Sequence, residues 1–89
     1  MLCFTVTLPE DKITISIQGL TRKQKLMLNI MWTADSKEQL QDWMSTLSLN
    51  DQKVAASLLI MLKHEILEEL IDDEMIEAKE VLNKFTSME

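Results

Sequence analysis

Glycine and proline are almost missing from this chain: Gly19 and Pro9 are the only ones, so nothing between Leu20 and Glu89 carries either residue. Both break regular structure, and their absence leaves a helix-compatible stretch of about seventy residues after a short punctuated N-terminal segment. Cys3 is the only cysteine, which excludes an intrachain disulfide and a thiolate zinc cluster built from one chain. His64 is the only histidine and tyrosine is absent, and no Cys and His pair stands close in sequence. No glycine-rich phosphate loop and no G-x-S-x-G elbow occurs, and catalysis is not expected.

Long apolar runs are missing too. The longest, Val54 to Leu62 interrupted by Ser57, spans nine residues where a bilayer crossing needs about 20. Met1-Leu2-Cys3-Phe4-Thr5-Val6 lacks the basic region and continuous apolar core of an export signal, which points to a soluble cytoplasmic protein. Basic charge is thin. Residues 1–50 hold five basic and five acidic groups, whereas residues 51–89 hold four basic against ten acidic, and the net charge is −6. Binding to phosphate backbones or anionic membranes needs clustered Lys and Arg, so neither nucleic acid nor membrane is expected, and a basic protein partner is the electrostatic match.

What is present organises a fold. Leu2, Phe4, Val6 and Leu8 alternate with polar neighbours, and Ile13, Ile15 and Ile17 do the same after a polar patch, which predicts two half-buried strands. Pairing Leu8 with Ile13, Val6 with Ile15 and Phe4 with Ile17 gathers every large apolar chain on one face, leaving Pro9-Glu10-Asp11-Lys12 as the turn.

Four start signals follow. Thr21 with Gln24 makes a capping box for a helix over about residues 21–33, its inward face set by Met27, Ile30 and Met31. Asp35-Ser36 opens a second, with Leu40, Trp43, Met44 and Leu47 on one face. Ser48 or Asn50 caps the third and most apolar, running through Val54, Leu58, Met61, Leu62, Ile66, Leu67, Leu70 and Ile71. At Asp72-Asp73-Glu74 the chain either breaks and starts a fourth helix on an Asp cap, with Met75, Ala78, Leu82 and Phe85 inward, or continues unbroken as one helix of roughly 35 residues in an extended or dimeric molecule, and the break is the favoured reading. The expected architecture is α+β: one domain over residues 1–89, with an N-terminal β-hairpin (1–19) packed on a small bundle of three or four helices (20–86).

At this size only about two-thirds of the unfolded surface can be buried, and a lone hairpin is marginal in water, so its apolar face packs on the helices or its edges pair with another chain. Homodimerisation is one way to cover the apolar surplus. Four groups of residues are candidates for contact or chemistry. Trp32 and Trp43 bracket the turn between the first two helices and, with Met27, Met31 and Met44 nearby, offer either core or an adaptable groove for a partner helix. Glu65, Glu69, Asp72 and Asp73 belong to an acidic run from Glu65 to Glu77 without a basic residue, which is either a solvated face or a surface for a basic protein. His64 and Glu68 stand one turn apart, too sparse a set for a metal centre, and no cofactor is expected. Arg22, Lys23 and Lys25 crowd a helix N-terminus, where cations are mildly unfavourable, and are either ordinary solvated charge or a dock for an acidic patch on a second subunit.

Leu20-Thr21 leading to Met31-Trp32, then Trp43 with Thr46-Leu47-Ser48, then Ala78-Lys79-Glu80-Val81-Leu82, resembles short uncharacterised accessory proteins of marine cyanobacterial phages over residues 20–86. The resemblance implies a small protein made inside an infected bacterial cell and carries no activity or site residues. The functional expectation is a non-catalytic protein–protein interaction module, homodimeric, with an acidic decoy of a basic nucleic-acid-binding protein as the alternative and a metal-dependent enzyme behind both.

Overall fold

A computed structural model describes residues 1–70 and 74–86. Strands β1 (Leu2–Leu8) and β2 (Ile13–Leu20) form a two-stranded antiparallel sheet, followed by helices α1 (Arg22–Thr33), α2 (Lys37–Ser45), α3 (Leu49–Glu69) and α4 (Ile76–Thr86). The arrangement is α+β, a hairpin on helices as the periodicities predict. Leu8 pairs with Ile13, Val6 with Ile15 and Phe4 with Ile17, the register that gathers the apolar chains on one face.

Gly19 explains itself in that register. Leu2 lies opposite Leu20 while Phe4 lies opposite Ile17, so β2 fits one extra residue into the pairing. Ile17 and Leu20 are three apart and would face opposite ways in a regular strand, yet both are buried. The bulge turns Leu20 inward, and Gly19 at φ +75° supplies the backbone conformation it needs. The turn has a counterpart in Lys12, at φ +57°, whose N–H donates to the Leu8 carbonyl at 2.7 Å.

Each of the first three helices starts on its own cap. In α1 the Gln24 N–H donates to Thr21 Oγ1 at 3.1 Å and the Thr21 N–H to Gln24 Oε1 at 2.9 Å, a complete capping box. In α2 the Gln39 N–H donates to Ser36 Oγ at 3.2 Å, while the Gln39 side chain reaches one residue further back to the Asp35 N–H. In α3 the cap is Ser48, whose Oγ accepts from the Asp51 N–H at 3.2 Å, and Asn50 lies within the helix.

Some inward faces differ from the spacing alone. Leu28 joins Met27 and Met31 in the core while Ile30 is 42% exposed, because α1 turns its next row of side chains toward the sheet. Leu47 lies beyond the end of α2 and packs on the core from the connecting segment. On α3 the core face is Ala55, Leu58, Leu59, Leu62 and Ile66, whereas Met61 and Leu67 are exposed. Ile71, Asp72 and Asp73 lie outside the described residues.

The long helix does break. α3 ends at Glu69, where the Leu70 N–H donates back to the Ile66 and Leu67 carbonyls and its backbone leaves helical geometry, and α4 opens at Ile76. Ala78 and Phe85 of α4 are fully buried, with Met75, Val81 and Leu82 packed against the same core as the hairpin.

Candidate functional site

α4 has no side-chain oxygen on Met75, the residue before its first turn, and its start is capped from the other end of the chain. Asp11 in the hairpin turn accepts from the Ala78 N–H at 2.7 Å, and Glu77 in turn accepts from the Glu10 N–H at 2.9 Å. At the far end of α4, Lys84 donates to the Trp32 and Ala34 carbonyls, each at 3.0 Å, satisfying groups that the C-terminus of α1 would leave open. The ammonium also lies 4.9 Å from the Phe85 ring centre and 5.8 Å from that of Trp32. Burial lowers the pKa of Lys84, against the opposing field of Asp35.

These contacts decide what Trp32 does. Its ring meets Phe4 edge-on at 6.3 Å between centres and lies 6.4 Å from Phe85, so it ties β1 to α4 through α1. Trp43 goes elsewhere, lining a cleft of about 190 Å³ between α1 and α2 with Ile30, Thr33, Ala34, Gln39 and Leu40. Met44 opens onto a different, shallower groove of about 420 Å³ shared with Gln41, Ser45, Gln52 and Ala56. The single Met/Trp groove suggested by their spacing is therefore divided: one indole joins the core, one lines a cleft, and the methionine faces a second groove.

Of the acidic run, Glu65, Glu68 and Glu69 stay together on α3, and Glu77 lies on α4. Glu65 and Glu69 are half-buried one turn apart on α3, Glu68 pairs with His64 at 2.9 Å, and Glu77 bonds to the hairpin turn. Asp72 and Asp73 lie outside the described residues. Among the described residues no three His, Cys, Asp or Glu side chains converge as metal ligands. Lys23 forms an ion pair with Asp51, joining the starts of α1 and α3 within one chain. Its place at a helix N-terminus is thereby balanced by a partner carboxylate that sits favourably in the first turn of α3.

Spacing alone missed several surface features. Leu26 and Ile30 continue the Trp43 cleft along α1 as an exposed i, i+4 pair. On α3, Leu49, Ala56, Ile60 and Leu67 are exposed at intervals of seven, four and seven residues, one line along the helix. A second helical period set beside the core stripe is the signal that would have found them. The outer face of the hairpin is a hydroxyl array, with Thr7 and Thr14 hydroxyls 3.3 Å apart and Cys3 Sγ contacting Thr5 Oγ1 at 3.2 Å and Ser16 Oγ at 3.4 Å. Hydrogen bonds from Ser16 and then Thr5 hold the Cys3 thiol below its ordinary pKa, with slight burial opposing and Lys25 adding to the effect.

No helix among the described residues is long and apolar enough to cross a membrane. Compared with family models, curated proteins and solved structures, the chain matches none. The fold and its surfaces therefore define its class, an α+β domain, and carry the functional reading.

Proposed function

We propose that this protein is a small interaction module that works by protein–protein contact, is homodimeric, and has no catalytic site. The observation that carries the reading is the cleft between α1 and α2. The domain already has a closed apolar core with no buried polar side chain among the described residues, yet Trp43, Ile30 and Leu26 keep apolar surface in water beside an open concavity. Rings and aliphatic chains left around a concavity are the usual anchors of protein contacts. The size and mixed lining of the cleft suit one or two apolar side chains of a partner better than an enclosed substrate.

For the alternative, an acidic decoy of a basic protein, Glu77 bonds to the hairpin turn and Glu68 pairs with His64, while Glu65 and Glu69 remain on α3. Light scattering across a dilution series at low and high salt tests the homodimer, and a mass that stays monomeric at every concentration sinks it. Trp43→Ala tests the cleft. With the fold intact by circular dichroism, unchanged self-association and unchanged partner capture would remove the cleft from the binding surface.

A further inference from the structure

The homodimeric reading leaves open which surface joins the two copies, and β1 has the features of one. The sheet has two strands, so one edge of β1 is paired to no strand among the described residues, and its backbone N–H and C=O groups are met by water or by another strand. Sheet edges are commonly blunted by Lys, Pro or a bulge, and β1, from Leu2 to Leu8, has no charged residue, no Pro and no Gly. β2 is the strand that carries the bulge, at Gly19.

Cover over the sheet is also uneven. Ile13, Ile15, Ile17 and Leu20 of β2 are all buried on the helix-facing side, whereas in β1 Val6 is only half-buried opposite Ile15, and Leu2 is 37% exposed opposite Leu20. Phe4 and Leu8 of β1 are buried as well, so the cover is incomplete at Val6 and Leu2, where a neighbouring sheet would continue it.

We propose that the free edge of β1 pairs antiparallel with β1 of a second copy, about a two-fold axis at Thr5, to make one four-stranded sheet ordered β2-β1-β1-β2. The strand is compatible with itself in that register. Phe4 falls opposite Val6 of the second copy and Leu2 opposite Leu8 on the apolar face, while Cys3 meets Thr7 and Thr5 meets Thr5 on the hydroxyl face, with no charge opposing a like charge. A foreign strand has no such match given by the chain itself. Two seven-residue strands form a contact below the roughly 1,200 Å² of a standard interface, so the dimer is weak and dissociates on dilution.

Sedimentation velocity over about two decades of concentration around 100 µM tests this, in the range expected for small interfaces. The wild type is expected to shift from monomer to dimer. Thr5→Lys places two ammonium groups face to face at the axis and is expected to weaken the dimer about tenfold or more, while Thr14→Lys, the same change on the exposed face of β2, leaves it unaltered. Should Thr5→Lys fail to fold by circular dichroism, Cys3→Ser/Thr5→Cys decides. Facing residues in antiparallel strands have Cα atoms about 4.5–5.5 Å apart, so this variant is expected to form a disulfide-linked dimer on mild oxidation and Cys3→Ser/Thr14→Cys is not. A wild-type dimer that Thr5→Lys leaves intact, or equal crosslinking through Thr14→Cys, overturns edge pairing while the homodimer stands. A wild type that remains monomeric throughout overturns both.

Discussion

The hairpin and α4 are stabilised in opposite ways. The hairpin closes on itself: its turn bond joins Lys12 to Leu8, its hydroxyls pair across adjacent strands, and its register follows from alternation that is visible along a few residues. α4 takes its N-terminal cap from 67 residues away and lends Lys84 to carbonyls 52 and 50 residues away. One element is specified by neighbours in sequence, and the other has an amphipathic stripe of its own but borrows the groups that finish it. Helical pattern therefore says where a helix can form, and remote polar partners determine where it begins and what it holds.

The largest expected effect comes from emptying the α4 side of that comparison. Phe85→Ala removes a fully buried ring from contact with Trp32 and should destabilise the protein by about 3–5 kcal/mol, measured by urea unfolding. Hydrogen exchange on the variant should show α4 losing protection ahead of the hairpin, and equal loss in both would break the contrast. Asp11→Ala sharpens it. The substitution lies in the hairpin turn, yet its cost of about 1–2 kcal/mol should appear as faster exchange at the start of α4, with the β1–β2 amides little changed.

The hairpin has its own test in two residues of positive φ. A Cβ added at Gly19 meets only Met1 Sδ, at 3.9 Å, so Gly19→Ala should cost about 1–2 kcal/mol through backbone conformation alone. Lys12→Gly relieves the same kind of strain and should raise stability by up to about 1 kcal/mol in thermal unfolding. A loss there would mean that the Lys12 side chain contributes more than its backbone conformation costs.

The smallest effect is a pH dependence. Burial places the folded pKa of Lys84 below its unfolded value, so the unfolded chain binds more protons in the window just under the ordinary lysine pKa of 10.5. Stability contributed by this residue should therefore rise with pH across that window. The difference in unfolding free energy between wild type and Lys84→Met, measured at several alkaline pH values, reads it directly, and a difference that falls with pH would reverse the assigned cause.

Much of the fold was legible because its signals are local. Alternation of Phe4, Val6 and Leu8 with Ile13, Ile15 and Ile17 suffices for the register, and Thr21, Ser36 and Ser48 announce helices within three residues of themselves. The acidic cluster favoured a break before α4 but left a continuous helix open, and the cap at the described start of α4 was not legible at all, since nothing near Ala78 points to Asp11. Trp32 and Trp43 look equivalent in sequence and separate in space because one faces Phe4 and Phe85 while the other, on α2, meets a gap beside Ile30. Glu77 reads as one more acid in a run, and only the proximity of the hairpin turn gives it a partner.

The remote bonds of α4 also set an order of events during synthesis. Asp11 leaves the ribosome early, but the helix end it caps is at Ala78, and bringing the two together closes a loop of most of the chain, the slow kind of contact. Until residues 78–85 have been translated, Trp32 lacks Phe85 and the core that α4 shares with the hairpin stays incomplete, at the stage when a second nascent copy or a chaperone can reach it.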